Sequence, residues 1–272
     1  MLHGFIPPSR YFAYLTWPEI AGLPERDKIV ILQPIGAVEQ HGPHLPLAVD
    51  AAISAGVLGR ALEKLDPQIP AYSLPPLYYG KSNEHSGFPG TITLTTTTLL
   101  ALLAEIAESL YQAGFRKWVL VNAHGGQPQI MELAARDIHA RYPDFWVFPL
   151  FVWNAPFEGA EALNAQEASL GLHGGELETS LMMALLPEQV RTEKLTKEYP
   201  DGLPPAEALL SLEGKLPFAW LTRDLSRSGV IGDATGAARA KGERLLASLA
   251  QGWVQVITEV YRFQPPRPHE PN

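Results

Sequence analysis

The most chemically suggestive stretch of the sequence is GAVEQHGPHLPLAVD, which runs from Gly36 to Asp50. It places Glu39, His41, His44 and Asp50 in an otherwise apolar segment, directly after the hydrophobic run IVILQPI. If the chain stays extended here, Glu39 and His41 point to the same side, because alternate residues of a strand share a face. A carboxylate beside an imidazole can share one cation or bracket two, although an isolated pair of this kind more often belongs to a surface loop.

Two further segments repeat the combination of histidine, glycine and carboxylate. NAHGGQ places His124 just after a predicted buried strand, and Gly125 and Gly126 let a ligand approach the backbone closely. HGGELETS brings His173 and Glu176 within one helical turn of each other. Taken singly, these segments could also be a helix-start turn with a satisfied histidine and carboxylates that serve the helix dipole.

Together, the three clusters favour a metal site more strongly than any one of them does. Carboxylates and imidazoles without sulfur suit zinc, manganese and similar ions. Asp50 could bridge two ions of the kind that polarise a substrate and generate hydroxide near neutral pH. Glu178 is expected to serve the helix dipole or an outer position, and His44 to order its loop. For His85, in the loop NEHSGFPG, a structural role is favoured.

The elements that must position these residues alternate between strand and helix. Short β-branched runs predict strands over 28–35, 117–122 and 145–153. Helical spacing predicts helices over 51–65, with Asp50 as N-cap, and over 95–113, 127–142, 176–186 and 237–261. This order predicts an α/β fold, residues 1–272 forming a single domain with a parallel sheet covered on both faces. Ligands of such folds bind beyond the carboxyl ends of the strands.

Composition limits the classes of partner. The 272 residues carry a formal net charge of −8, which argues against nucleic acid or an anionic membrane as the main partner. The absence of cysteine excludes disulfides, thiolate metal sites and a cysteine nucleophile. No signal-peptide pattern and no apolar run of membrane-spanning length are present, so we expect a cytoplasmic protein.

Five motifs in order resemble those of the creatininase (creatinine amidohydrolase) family: EQHGPHLPLAVD, NEHSGFPGT, NAHGGQ, HGGELETS and SGVIGDATGAARAKG. The resemblance covers nearly the whole chain. It implies a three-layer αβα sandwich with a mainly parallel central sheet. It also implies two divalent metal ions (Zn, Mn or Fe) and hydrolysis of a small-molecule substrate at a non-peptide, often cyclic, amide C–N bond. Family resemblance further implies a homo-oligomer, typically a hexamer.

The resemblance also assigns roles to individual residues. One metal would be held by Glu39, Asp50 and His124. The second would be held by His41 and the shared Asp50, with Glu176 as the completing carboxylate. A metal-activated hydroxide would attack the amide carbonyl, and His173 would deliver a proton to the leaving nitrogen, with Glu176 beside it at the catalytic centre.

Departures from the family pattern bear on the substrate. Members that process creatinine carry an acidic residue where this chain has Gly126, and a pair of tryptophans of which only Trp153 has a counterpart here, because Ser169 stands at the second position. We therefore expect a substrate other than creatinine, bound near Trp153, Gly125 and Gly126. A deformylase or peptide-maturation hydrolase of a cofactor pathway, and a catalytically silent metal-binding relative, remain open as alternatives.

Overall fold

The structure, a computed structural model, describes residues 1–159, 163–203, 208–214 and 216–266. Its centre is a four-stranded parallel sheet with the strand order β2-β1-β3-β4. The strands are β1 (Val30–Ile35), β2 (Ala71–Ser73), β3 (Lys117–Asn122) and β4 (Trp146–Phe151). A separate antiparallel pair is formed by β5 (Lys197–Glu198) and β6 (Gly232–Asp233).

Helices cover both faces of the sheet. The long ones are α2 (Val49–Lys64), α3 (Thr96–Gln112), α4 (Pro128–Arg141), α6 (Glu176–Leu185) and α8 (Arg239–Arg262). The short ones are α1 (Trp17–Ala21), α5 (Ala165–Leu170) and α7 (Thr222–Leu225). Helices α2, α6 and α8 pack against one another on one face, and α3 packs against α4 on the other.

Alternation along the central strands divides the core in two. Val30 and Leu32 of β1 join the apolar cluster under α2, α6 and α8, whereas Ile31 and Ile35 join the cluster under α3 and α4. Successive strand residues point to opposite faces, so a strand that is buried on both faces contributes to two cores. The predicted three-layer αβα arrangement around a mainly parallel sheet is thereby confirmed.

Most predicted elements appear with small shifts at their ends. The strand over 117–122 is confirmed residue for residue, and the side chain of Thr95 caps α3 by accepting from the Thr98 amide at 3.2 Å. The N-cap role predicted for Asp50 is wrong. Helix α2 begins at Val49, so Asp50 lies inside its first turn and its carboxylate is free for other partners.

Strand β1 and helix α2 approach so closely that backbone meets backbone. A Cβ at Gly36 would lie 2.3 Å from the amide nitrogen of Ala51, so only glycine fits at the end of this strand. This contact fixes where the first turn of α2 stands relative to the loop after β1. Within the residues described, no helix is both long and apolar enough to cross a bilayer.

Candidate metal centre

A buried cluster of carboxylates and imidazoles lies beyond the carboxyl ends of β1 and β3, where the rule for parallel sheets places ligands. Four loops and the first turns of α2 and α6 contribute to it. Its members are Glu39, His41, Asp50, Glu84, His85, His124, His173 and Glu178. No side chain of the cluster is more than 16% exposed. The predicted convergence of three separate motifs on one edge of the sheet is what the structure shows.

In the neutral ring of His41, the nitrogen that carries the lone pair faces carboxylate oxygens. Its Nδ1 lies 3.2 Å from the carbonyl oxygen of Glu39, which can only accept, so in the neutral ring Nδ1 donates and Nε2 carries the lone pair. Nε2 lies 3.3 Å from Asp50 Oδ1 and 4.0 Å from Glu178 Oε1, and it has no hydrogen-bond partner. A lone pair facing carboxylates is unfavourable unless a cation lies between them.

His124 repeats this arrangement on the other side of Asp50. Its Nε2 lies 2.8 Å from the carbonyl oxygen of Lys81 and therefore donates, so in the neutral ring the lone pair is on Nδ1. Nδ1 lies 3.1 Å from Glu39 Oε2 and 3.4 Å from Asp50 Oδ2. The two oxygens of Asp50 thus face lone pairs of two different imidazoles, and Oδ2 has no hydrogen-bond partner.

The chemistry of this donor set fits divalent metal ions. Three of the ligand groups share Glu39: one adds His41 and Asp50, one adds Glu84 and His124, and one adds His85 and His173. In each group the potential ligand atoms lie within 4.8 Å of one another. Oxygen and imidazole donors suit zinc and manganese. The orphaned Nε2 of His41 and Oδ2 of Asp50 are the polar atoms that a bound cation would satisfy.

The electrostatics of the cluster favour positive charge at its centre. Burial disfavours the charged form of His41, but Asp50, Glu178 and Glu39 outweigh burial and raise its pKa to about 9. Burial, together with repulsion from Asp50 and Glu39, outweighs the attraction of His41 and raises the pKa of Glu178 to about 7. The carboxylates therefore attract a proton to His41 when no other cation is present.

His173 lies at the border of the cluster with its ring held in place. Its Nε2 lies 2.6 Å from the carbonyl oxygen of Gln40, and its ring stacks between His41 and His85 at centroid distances of 4.1 and 4.2 Å. Burial, with the positive potential of His41 and His85, lowers its pKa well below the ordinary value. A neutral His173 that donates through Nε2 keeps Nδ1 as a proton acceptor, 3.9 Å from Glu39 Oε1.

Glu176 does not join the cluster, so its predicted ligand and catalytic roles are not supported by its placement. It is the first residue of α6, and its carboxylate forms an ion pair with Lys241 of α8. Glu178, two residues further around the helix, is directed back towards the cluster. Its Oε2 accepts from the Gly174 amide at 2.7 Å, and its Oε1 faces His41. Glu178 takes the place that sequence reasoning gave to Glu176.

The predicted substrate-binding residues occupy different surroundings. A Cβ at Gly125 would meet open space, whereas one at Gly126 would collide with the carboxylate of Glu84. Trp153 is half-buried and lies beside Phe157, with ring centroids 6.1 Å apart. Gly125 thus borders space beside His124, and Gly126 serves close packing.

Sequence reasoning gave little weight to several residues that the structure brings to the site. Gln40 lies within 3.1 Å of His173 Nε2 and donates to the carbonyl oxygen of Gly229 at 3.1 Å. Glu84 lies 3.0 Å from His124, and His85 lies 3.3 Å from Glu39. The signal for Glu84 and His85 was present in the NEHSGFPGT motif, but no sequence spacing connects that loop to His124.

Sequence comparison agrees with this geometry. The sequence model of the creatininase family, described as creatinine amidohydrolase, matches residues 13–257. The chain belongs to the creatininase family. It is 31% identical to the mycofactocin precursor peptide peptidase of Mycolicibacterium smegmatis over 95% of this chain and 97% of that protein. It is 32% identical to the creatinine amidohydrolase of Pseudomonas putida over 93% of this chain and 98% of that protein.

Solved creatininase structures have the same fold. A variant creatininase of the Zn–Zn type is 30% identical, with a TM-score of 0.76, and the match covers 94% of this chain and 98% of that one. A manganese form of creatininase has the same identity and TM-score, with 94% and 99% covered. The creatininase-family chain is therefore a hydrolase of this fold, and its structural neighbours include a zinc form and a manganese form of creatininase.

Proposed function

We propose that this creatininase-family enzyme is a dinuclear metal-dependent amidohydrolase that cleaves a non-peptide amide C–N bond in a small molecule. The observation that carries the proposal is the bridging position of Asp50 between His41 Nε2 and His124 Nδ1. A single carboxylate that faces two lone-pair nitrogens, each next to Glu39, is the arrangement expected for two ions that share one ligand. The zinc and manganese forms among the structural neighbours support the same assignment.

The residues divide the work of the proposed reaction. Glu39, Asp50 and His124 would hold one ion, and His41, Asp50 and Glu178 the other. The ions, which could be zinc, manganese or iron, would supply polarisation of the substrate carbonyl and a lowered pKa for bound water.

His173 is proposed to transfer the proton. Its Nε2 is fixed on the Gln40 carbonyl, so Nδ1 is the atom that accepts a proton from the attacking water and passes it to the leaving nitrogen. Such a transfer needs a fixed ring, and the stacking of His173 between His41 and His85 provides it. The open space at Gly125 is the proposed approach for the substrate.

A second candidate is a peptide-maturation hydrolase, which the likeness to mycofactocin precursor peptide peptidase favours. The same metal centre would serve, because a peptide carbonyl needs the same polarisation and the same proton transfer. The two candidates differ in the size of the group that must fit beside Gly125 and Trp153. Gly126 and Ser169, which replace an acid and a tryptophan of the creatinine-processing pattern, argue against creatinine itself in both cases.

A substrate screen with metal-loaded protein tests both candidates. Protein loaded separately with manganese, zinc or iron is incubated with creatinine, cyclic ureas, lactams, formamides and short precursor-like peptides, and products are detected by mass spectrometry. We expect turnover of a small amide and none by His124→Ala. Cleavage confined to peptides would select the second candidate. Full metal content without turnover of any class would support the catalytically silent relative instead.

The predicted homo-oligomer stays a proposal. It is supported by large apolar side chains that are about half exposed or more, among them Trp17, Tyr78, Tyr79 and Ile92. Light scattering coupled to gel filtration measures the mass directly. A mass of 29.8 kDa, that of one chain, would contradict it.

A further inference from the structure

The side of His124 that faces away from Asp50 carries a second carboxylate. Glu84 Oε1 lies 3.0 Å from His124 Nε2, on the nitrogen that also donates to the Lys81 carbonyl at 2.8 Å. Glu84 Oε1 is buried and has no hydrogen-bond partner, so its contact with His124 is that of a close ion pair. Nε2 thus has one hydrogen-bond acceptor, the Lys81 carbonyl, and one carboxylate at ion-pair distance, while the other ring nitrogen faces Glu39 and Asp50.

We propose that Glu84 is a positioning residue of the metal centre, which acts through His124 rather than on the metal or the substrate. This inference rests on the proposed function. The Lys81 carbonyl accepts the Nε2 hydrogen and the negative charge of Glu84 beside it favours a hydrogen on that nitrogen, which leaves the lone pair of Nδ1 directed at the cation site. The negative charge of Glu84 also makes Nδ1 of the imidazole a stronger electron-pair donor to a metal ion, as outer carboxylates do for metal-bound histidines generally.

Gly126 makes room for this carboxylate. A Cβ at Gly126 would lie 1.6 Å from Glu84 Oε1 and 2.6 Å from His124 Nε2. No side chain at position 126 is compatible with a carboxylate in this place. The position of Glu84 beside His124 therefore requires a glycine at position 126.

The turn that carries Glu84 also positions Glu39, a second proposed metal ligand. Ser82 Oγ donates to Glu39 Oε2, and His85 Nε2 lies 3.3 Å from Glu39 Oε1. His85 Nδ1 lies 2.8 Å from Gln40 Nε2 and 2.9 Å from Thr222 Oγ1. Because an amide nitrogen can only donate, Nδ1 accepts from Gln40, and Nε2 carries the hydrogen that faces Glu39. The turn thus orients Glu39 and His124 from outside the cation site.

Metal affinity separates this role from the alternatives. Wild-type protein, Glu84→Ala and Glu84→Gln are titrated with zinc against a competing chelator, and the number of ions at saturation is counted by mass spectrometry. We expect two ions in each protein. The affinity should fall roughly 10- to 100-fold in Glu84→Ala, as for other outer-shell partners of metal ligands, and less in Glu84→Gln, which keeps an acceptor oxygen but loses the charge. Glu105→Gln, on the exposed side of α3, is the matched control.

Each other outcome has a definite meaning. Loss of one ion from Glu84→Ala at saturating zinc would overturn the positioning role, because Glu84 would then be a ligand itself. Unchanged affinity in both variants, with unchanged melting temperature, would also overturn it. Wild-type protein that binds no zinc, manganese or iron would instead defeat the proposed function. Nitrogen NMR of the histidine rings gives a further readout: the Nε2 resonance of His124 should move in Glu84→Ala because the neighbouring negative charge is removed, while the Lys81 carbonyl keeps the hydrogen on that nitrogen.

Discussion

His41 Nε2 lies 3.3 Å from Asp50 Oδ1, although neither the geometry nor the neutral tautomer of the ring makes this contact a hydrogen bond. The other oxygen of Asp50 stands in the same relation to His124. The cluster therefore has two positions suited to a cation, one between Asp50 and His41 and one between Asp50 and His124.

We first predict that Asp50→Asn loses both metal ions. The amide keeps the size of the carboxylate but removes the charge that two ions would share, and its NH2 group would face one of the two imidazoles. Bound metal should fall below one ion per chain, and hydrolysis by at least about 100-fold, since even outer partners of metal ligands contribute on that scale. Elemental analysis and the rate on the best screened substrate are the measurements. Two retained ions would contradict the bridging role.

Replacing each of two neighbouring glutamates by glutamine separates their roles. Glu178→Gln should lower metal content and activity with little change in stability, because its carboxylate faces His41. Glu176→Gln should leave metal content unchanged and lower the free energy of unfolding by on the order of 2 kcal/mol, between the values for exposed and buried ion pairs. The reason is that Lys241, 17% exposed, loses its partner. Loss of metal from Glu176→Gln, with full metal content in Glu178→Gln, would instead support Glu176 as the ligand.

Bulk at Gly125 should obstruct the substrate without disturbing the metal centre. A side chain there would enter open space next to His124, and the backbone of Gly125 is outside the left-handed region, so no strain is expected. Gly125→Val should raise KM about 10-fold or more, roughly the effect of one badly placed methyl-sized group in a pocket. Gly125→Ala, with its smaller side chain, should have a lesser effect. Equal kinetics in all three proteins would place the substrate elsewhere.

The acid limit of stability should depend on Glu198. Partial burial disfavours its charged form, but the amides of Arg227 and Ser228 and two serine hydroxyls outweigh burial and lower its pKa from 4.5 to about 2. A carboxyl whose pKa is lower in the folded state stabilises the fold above its ordinary pKa. That contribution is lost as the pH falls from 4.5 towards 2.

Glu198→Gln should therefore melt below the wild-type protein at pH 7, and the gap should narrow progressively below pH 4.5. Circular dichroism melts across this range measure the difference. Glu193→Gln, at an exposed position nearby, should show no gap at any pH. A gap that stays constant with pH would show that the ionisation of Glu198 does not contribute to stability.

The sheet could be predicted because its strands are signalled locally. Trp118 to Val121 is a compact apolar run between Lys117 and Asn122, and both faces of the strand are buried, so hydrophobicity alone indicates a strand here. The sequence also predicted the edge of the sheet at which each motif lies, because parallel strands bring their carboxyl ends to the same edge. Glu39, His41, Asp50 and His124 could be grouped for that reason.

The remaining features of the site depend on contacts between residues that are far apart in the sequence, which no local sequence pattern indicates. Glu176 and Glu178 lie in the same helical turn, and the choice between them is made by Lys241, which comes from a helix more than fifty residues later. Glu84 meets His124 only because its loop folds over the end of β3. Tertiary contacts of this kind decide which of several chemically suitable side chains is directed into the site.

The contact between Gly36 and the backbone of Ala51 has a consequence for anyone who wishes to redirect this enzyme. It packs the loop of Glu39 and His41 directly against the turn of Asp50 through the backbone, so no side chain at this contact can be replaced by a smaller or larger one. The part of the site that carries these three proposed metal ligands is therefore fixed by the backbone. Changes of substrate range must come from the surrounding loops, where Gly125 borders space and Trp153 is half-buried, and libraries confined to those positions should retain metal.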